Sequence, residues 1–305
     1  MTAKTYIIPL FALLIISFYP VISQQTKTKV IIDADTGNEV DDLFAISRAL
    51  IAPEFEILGL NSAQWQNSHW AEGNTLENSQ RINERILSYL HKDNIPHPRG
   101  SQARLYDWGQ DVAQHSAAAY HIINTAKSIP DNEKLTVIAL GALTNVASAL
   151  LIAPEIAPRM KLYCLGTSYN FDDKYWKKTD FNCLMDPHAI NVVLDNKELE
   201  VHIVPVNIAV DMKMDRETLV KNFKGKDDLR GFLYDRWMNH MDGGYHERII
   251  WDLSVVYMVL NPKWVRVDEI QTPPENTRRK IYVAKSIEGQ KMTKDFFESM
   301  TNRFK

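Results

Sequence analysis

The stretch Val30-Ile31-Ile32-Asp33-Ala34-Asp35-Thr36-Gly37-Asn38-Glu39-Val40-Asp41-Asp42 constrains this chain more than any other. An apolar run of strand type leads straight into five carboxylates within ten residues, and a helical pattern starts as they end. Acids favour helix N-termini, where they accept backbone N–H groups and complement the dipole. Capping therefore explains Asp41 or Asp42. It does not explain Asp33 and Asp35 at the end of a strand. Two like charges ~4 Å apart cost ~4 kcal/mol at an effective dielectric of about 20. Carboxylates converging in one loop must take up protons or bind a cation. All the candidate ligands in the loop are oxygen donors, which suits Ca²⁺ or Mg²⁺ rather than zinc. The loop is not an EF-hand: counted from Asp33, the sixth position is Asn38 instead of Gly and the twelfth is Phe44 instead of Glu. A haloacid-dehalogenase-like phosphatase also opens with Asp-x-Asp after a strand. Such enzymes usually carry Thr four residues after the first Asp, where this chain has Gly37, and a phosphatase of this kind stands as the alternative enzyme reading.

Beyond this loop, apolar runs of strand length alternate with helical patterns. Strands are predicted over Lys29–Asp33, Glu56–Leu60, Leu135–Leu140, Lys161–Leu165, Val201–Pro205 and Arg279–Ala284. Helices are predicted over Asp41–Ile51, Glu72–His91, Asp111–Ser128, Leu143–Ile152, Leu229–Met241, Trp251–Leu260 and Thr293–Phe304. Alternation of this kind implies an α/β fold with a mostly parallel central sheet flanked by helices. Such sheets place their sites beyond the carboxyl ends of the strands. No repeat or Pro/Gly-rich linker interrupts the pattern, so residues 24–305 read as one domain. Residues 1–23 read as a secretory signal: Lys4, an apolar run from Tyr6 to Tyr19, then Val21-Ile22-Ser23 ending in a small residue. A secreted or periplasmic protein is expected, free of the membrane once the signal is cleaved. A net charge of -3 without a long basic run argues against a nucleic-acid polymer as partner. Cys164 and Cys183 make no disulfide framework, and Cys164 in an apolar strand reads as a buried free thiol.

The acidic loop resembles the opening motif of the nucleoside hydrolases, a strand followed by Asp-x-Asp-x-Gly-x-Asp-Asp and a helix. Asp33, Asp35, Gly37, Asp41 and Asp42 match it, with two extra residues between Gly37 and Asp41. Later segments match in order. Gly141-Ala142-Leu143-Thr144-Asn145 is similar to the family's Gly-x-Leu-Thr-Asn. Asp180-Phe181-Asn182 with Asp186-Pro187 resembles its Glu-Phe-Asn and Asp-Pro segment, and Trp251-Asp252 carries its late acid.

The resemblance implies a nucleoside N-ribohydrolase that releases free base and ribose. Asp35, Asp42, the backbone carbonyl of Leu140 and Asp252 would bind Ca²⁺. Asp35 would also act as general base on the attacking water. Asp33 would orient the loop or bind ribose, and Asn182, Asp180 and Asn170 would hold the sugar. Many family members have His where this chain has Trp251. A purine-preferring branch has Trp there, which implies a stacked purine, with Trp65, Trp70 or Trp108 as a second platform. His246 and Tyr245 are candidate proton donors, and Asn61, Gln66 or Asn67 a candidate amide. Family members are often homo-oligomers. An exported riboside-binding protein without turnover is the reading from another class.

Overall fold

The computed structural model describes residues 27–105 and 112–305, together with Met1 and Thr2. The expected signal at 1–23 and the Trp108 platform lie outside the described residues, apart from Met1 and Thr2. In chain order, β1 (Thr28–Ala34) leads through the acidic loop to α1 (Asp41–Ile51), β2 (Phe55–Ser62), α2 (Thr75–Tyr89) and α3 (Ala117–Ser128). Then come β3 (Leu135–Ala139), α4 (Thr144–Ile152), β4 (Met160–Leu165), a hairpin of β5 (Ser168–Asn170) and β6 (Tyr175–Lys177), α5 (Phe181–Met185) and α6 (Pro187–Asp195). The chain continues with β7 (Glu200–Val204), α7 (Val206–Ala209), β8 (Lys213–Asp215), α8 (Arg216–Phe223), α9 (Leu229–Met238) and β9 (Glu247–Ile249). It ends with α10 (Leu253–Leu260), β10 (Val265–Gln271), β11 (Lys280–Ile287) and α11 (Gly289–Arg303).

Seven strands form the central sheet in the order β10-β11-β7-β4-β3-β1-β2. Six are parallel, and β10 runs antiparallel to β11 at the edge. The α/β, mostly parallel architecture expected from the sequence is the one observed. Helices cover both faces, which is why the central strands read as unbroken apolar runs. Alternate residues of β1 serve opposite cores: Val30, Ile32 and Ala34 pack with α1, α10 and α11, while Ile31 packs with α3, α4 and α6. Asp41–Ile51 is a helix with the predicted bounds. Other helices are trimmed by their caps. Asn74 starts α2 and Ser116 starts α3 by accepting backbone N–H groups, later than the expected Glu72 and Asp111.

The topology locates the site. From β1 the chain first steps to β2 at one edge, then crosses back to β3 on the other side of β1 and on towards β4 and β7. The connections leaving β1 and β3 therefore diverge, and a crevice opens at their carboxyl ends. Asp33 sits opposite Ala139 in that register, and the Leu140 N–H still donates to the Asp33 carbonyl at 2.8 Å. The acidic loop and Leu140-Gly141 are thus neighbours at the switch point.

Candidate active site and metal centre

Asp35, Asp41, Asp42 and Asp252 line one cavity of about 280 Å³ at the switch point. The loop after β1 delivers Asp35, the first turn of α1 delivers Asp41 and Asp42, and the residue before α10 delivers Asp252. One oxygen each from Asp41, Asp42 and Asp252 lies within 4.8 Å of the others. All four side chains are buried, at 2–5 % exposure. None forms an ion pair among the described residues. Asp35 Oδ2, Asp42 Oδ1 and Asp252 Oδ1 are buried with no hydrogen-bond partner. Burial first, then mutual repulsion, holds all four carboxyls well above the usual carboxylate range.

The capping explanation does not hold for these acids. Val40 is the N-cap of α1 and makes no side-chain cap bond. Asp252 is the N-cap of α10 and its side chain caps nothing either. Asp41 instead leans across, accepting the Asp252 backbone N–H at 3.4 Å. That places Asp41 inside the trio, where the sequence had offered a cap as the explanation of Asp41 or Asp42.

The residues behind this set hold it in place. Asp33 does not line the cavity. It is fully buried one layer back and accepts a 2.9 Å hydrogen bond from Asn145 Nδ2. Burial drives its carboxyl up to about 7 against that bond. Asn145 also donates to the Ser62 carbonyl and accepts from the Ser101 N–H, tying β1, β2 and α4 together. Thr144 donates to Asp186 at 2.6 Å, and Asp186 caps α6. The Leu-Thr-Asn and Asp-Pro segments are therefore latches beneath the site. Gly141 has a steric reason: a Cβ there would stand 2.7 Å from Asp35 Cγ.

The sugar-side candidates divide. Asn182 lines the cavity and donates from Nδ2 to the Leu140 carbonyl at 2.6 Å and to the Leu165 carbonyl at 3.3 Å. Asp180 lines it too, while its carboxylate caps α5 through the Cys183 N–H and accepts the Thr167 N–H at 2.6 Å. Asn170 is not brought to this cavity. It is exposed in the turn of the β5–β6 hairpin, donating to Asp173 and accepting from the backbone of Asp172 and Asp173. A small polar residue in a tight polar loop is explained by the turn itself.

On the other side, Trp251 is half-buried in the turn before α10 and lines the cavity, as does Phe181. Trp70 stacks on Phe181 with centroids 5.3 Å apart and planes 18° from parallel, and its indole N–H donates to Asn38 at 3.1 Å. Trp70 thus backs the aromatic wall, and Trp65 is buried deeper. Phe181 and Asn38 were not singled out in the sequence, although Phe181 stands in the Asp-Phe-Asn segment. His246 is exposed beside Arg216 and Tyr245 is exposed, both outside the cavity lining. Asn61 is buried in β2, and Asn67 donates to the Met185 carbonyl. Cys164 and Cys183 are buried free thiols.

The donor set fits a hard cation: carboxylate and carbonyl oxygens, several of them buried and unpartnered, with no neutralising ion pair among the described residues. Residues 30–294 match the family model described as inosine-uridine preferring nucleoside hydrolase. A probable uridine nucleosidase 1 of Oryza sativa subsp. japonica is 26% identical over 272 residues, covering 78% of each chain. Among solved structures, an inosine-guanosine nucleoside hydrolase superposes with a TM-score of 0.71 at 18% identity, covering 90% of this chain and 99% of its own. A purine-preferring ribonucleoside hydrolase from Gardnerella vaginalis gives 0.66 at 20% identity, with the same coverage. The phosphatase alternative and the binding protein without turnover give way to this match. The chain belongs to the inosine-uridine preferring nucleoside hydrolase family, metal-dependent hydrolases of N-glycosyl bonds.

Proposed function

We infer that the protein hydrolyses ribonucleosides to free base and ribose with Ca²⁺ as its metal and a leaning toward purines. The observation that carries this is the buried carboxylate set with orphaned oxygens at the floor of a cavity walled by Trp251 and Phe181. Asp42, Asp252, Asp35 and the Leu140 carbonyl are the residues to hold the ion, with Asp41 adjoining them. When bound, Ca²⁺ supplies charge that orients sugar hydroxyls and favours ionisation of water.

The chain's own groups do the remaining work. Asp35, with a free oxygen inside the cavity, takes the proton from the attacking water. The surrounding carboxylates stabilise the oxocarbenium-like sugar that forms as the C–N bond breaks. Asn182 and Asp180 border the sugar, and Asp33 braces the loop from behind. Trp251 and Phe181 offer faces on which a flat base stacks, and a purine presents the larger face. Relatives named for uridine and for purines both exist, so the aromatic wall is the support for the purine leaning.

The test is release of reducing sugar from inosine, adenosine, guanosine, uridine and cytidine, with and without a calcium chelator. Chelator-sensitive release, fastest from purines, is expected. Release that survives full chelation would remove the metal, and faster uridine turnover would remove the purine leaning. Export, with cleavage after Ser23 and a mature chain from Gln24, is inferred from the N-terminal sequence alone. N-terminal sequencing of protein from the medium or periplasm checks it, and an intact Met1 on the accumulated protein would refute it.

A further inference from the structure

A second cavity, of about 570 Å³, lies behind the wall of the first. Asn38 lines both cavities. Trp70 lines the second while stacking on Phe181 of the first. The character of the two is opposite. The first is a concentration of carboxylates, whereas Arg81, Arg236 and His240 line the second.

The second cavity has donors without acceptors. Arg236 Nε and Trp65 Nε1 are both buried without a hydrogen-bond partner. Arg236 makes no hydrogen bond or ion pair with any described residue, and the charge that bears on it is another cation, Arg85. Neighbouring acids are occupied elsewhere. Asp242, 3.9 Å from His240, is gripped by Arg248. Glu77 pairs with Arg81 and Arg99. Glu72 is the carboxylate among the lining residues; it is exposed and forms no ion pair among the described residues. A half-buried guanidinium without an acceptor is costly, and an anionic ligand oxygen would relieve it. Planar Arg donors suit a carboxylate in particular, since both its oxygens can be engaged at once.

We propose that this cavity is an anion subsite for the leaving group: the enzyme takes N-ribosides whose base carries a carboxylate, with the half-buried Arg236 guanidinium as its principal contact. The inference rests on the nucleoside hydrolase reading, which puts the ribose over the carboxylates and the base against Trp251 and Phe181. Asn38, which lines both cavities, marks where a base stacked there adjoins the second. A 5′-phosphate on the sugar presents similar oxygens, and the test separates the two sources.

The experiment compares kcat/KM on nicotinic acid riboside and nicotinamide riboside, which differ in one carboxylate, and on uridine 5′-monophosphate and uridine. Each is measured with the wild-type enzyme and with Arg236→Gln and Arg236→Lys. The carboxylate form is expected to be preferred by roughly 10–100-fold, the worth of a charge-assisted hydrogen bond. That ratio falls toward one in Arg236→Gln and is partly kept in Arg236→Lys, and the monophosphate shows no matching gain. Equal rates on the first pair, or a ratio indifferent to Arg236→Gln, overturn the subsite. A gain confined to the monophosphate overturns its assignment to the leaving group. Turnover of the neutral ribosides reports on the hydrolase reading by itself. If none is turned over, binding of free nicotinate against nicotinamide, followed by tryptophan fluorescence, decides the subsite. A nicotinate preference lost in Arg236→Gln upholds it, and equal binding refutes it.

Discussion

Aspartates stand at the start of several helices in this protein, and they fall into two groups. Asp215 before α8 accepts the Thr218 N–H at 2.7 Å, and Asp228 before α9 accepts the Arg230 N–H at 2.8 Å. Asp215 is held below the usual range by the Thr218 bonds. Burial would raise Asp228, but the bonds from Arg230 outweigh it. Asp42 in the first turn of α1 and Asp252 before α10 occupy much the same local position, yet each keeps a buried oxygen without a partner, and both carboxyls are pushed up. The local sequence is similar; the surroundings are not. The first group completes its own helix. The second is left incomplete by the chain, at a place where a ligand can finish it.

The largest effect that would sharpen this contrast is on rate. Asp35→Asn should lower kcat by roughly 10²–10⁴, the worth of a general base, while Asp228→Asn leaves kcat unchanged. Near-normal turnover of the Asp35 variant in steady-state assays would move it out of the incomplete group. Next comes the stability of the chelated enzyme. Ca²⁺ at 100 times its Kd should stabilise the wild type by about 2.7 kcal/mol. Asp42→Asn should gain less from Ca²⁺, and its metal-stripped form should melt above the stripped wild type, because one buried like charge has gone. A lower melting temperature for the stripped variant would place Asp42 among the ordinary caps.

A smaller effect tests the other side. Asp215→Ala should cost about 1 kcal/mol in urea denaturation without changing the gain from Ca²⁺. The smallest concerns acid. Burial opposes ionisation of Glu200 on β7, but hydrogen bonds from His202, Lys161 and Lys134 outweigh it and hold the carboxyl at about 2. Its folded value lies below the unfolded ~4.3. The stability it contributes is therefore complete above the unfolded value and lost as pH falls toward 2. Glu200→Gln should flatten that part of the acid limb in pH-dependent melting; an unchanged limb would mean that the group is not engaged in solution.

The same contrast explains how far the sequence could be read. β1 and α1 were legible because a two-face-buried strand and an amphipathic helix carry clear periods, and the acids between them fit neither. β10 was not, because Arg266, Asp268, Glu269 and Gln271 give an edge strand the look of a loop. The short β8–β9 ribbon has too few residues to show a period. At the site, Asp35 was legible as an acid with no local purpose, while Asp42 and Asp252 were legible only through the family's motif. Asp180 and Asn170 were harder, because capping a helix and closing a turn are local purposes that use the same side chains. Arg236 was invisible for the opposite reason: an arginine on a helix looks solvated until the fold takes away its partners.

Gly141 makes a distinction that neither folding nor chemistry makes alone. A methyl group at this position would act as a wedge against Asp35, a short side chain with little slack. The surrounding strands are pinned by their own ladders, so the displacement falls on the carboxylate. Screened for soluble expression, position 141 would tolerate alanine; screened for turnover, it would admit one residue alone. The gap between those two screens measures how much of this protein's sequence is held by what it does rather than by how it folds.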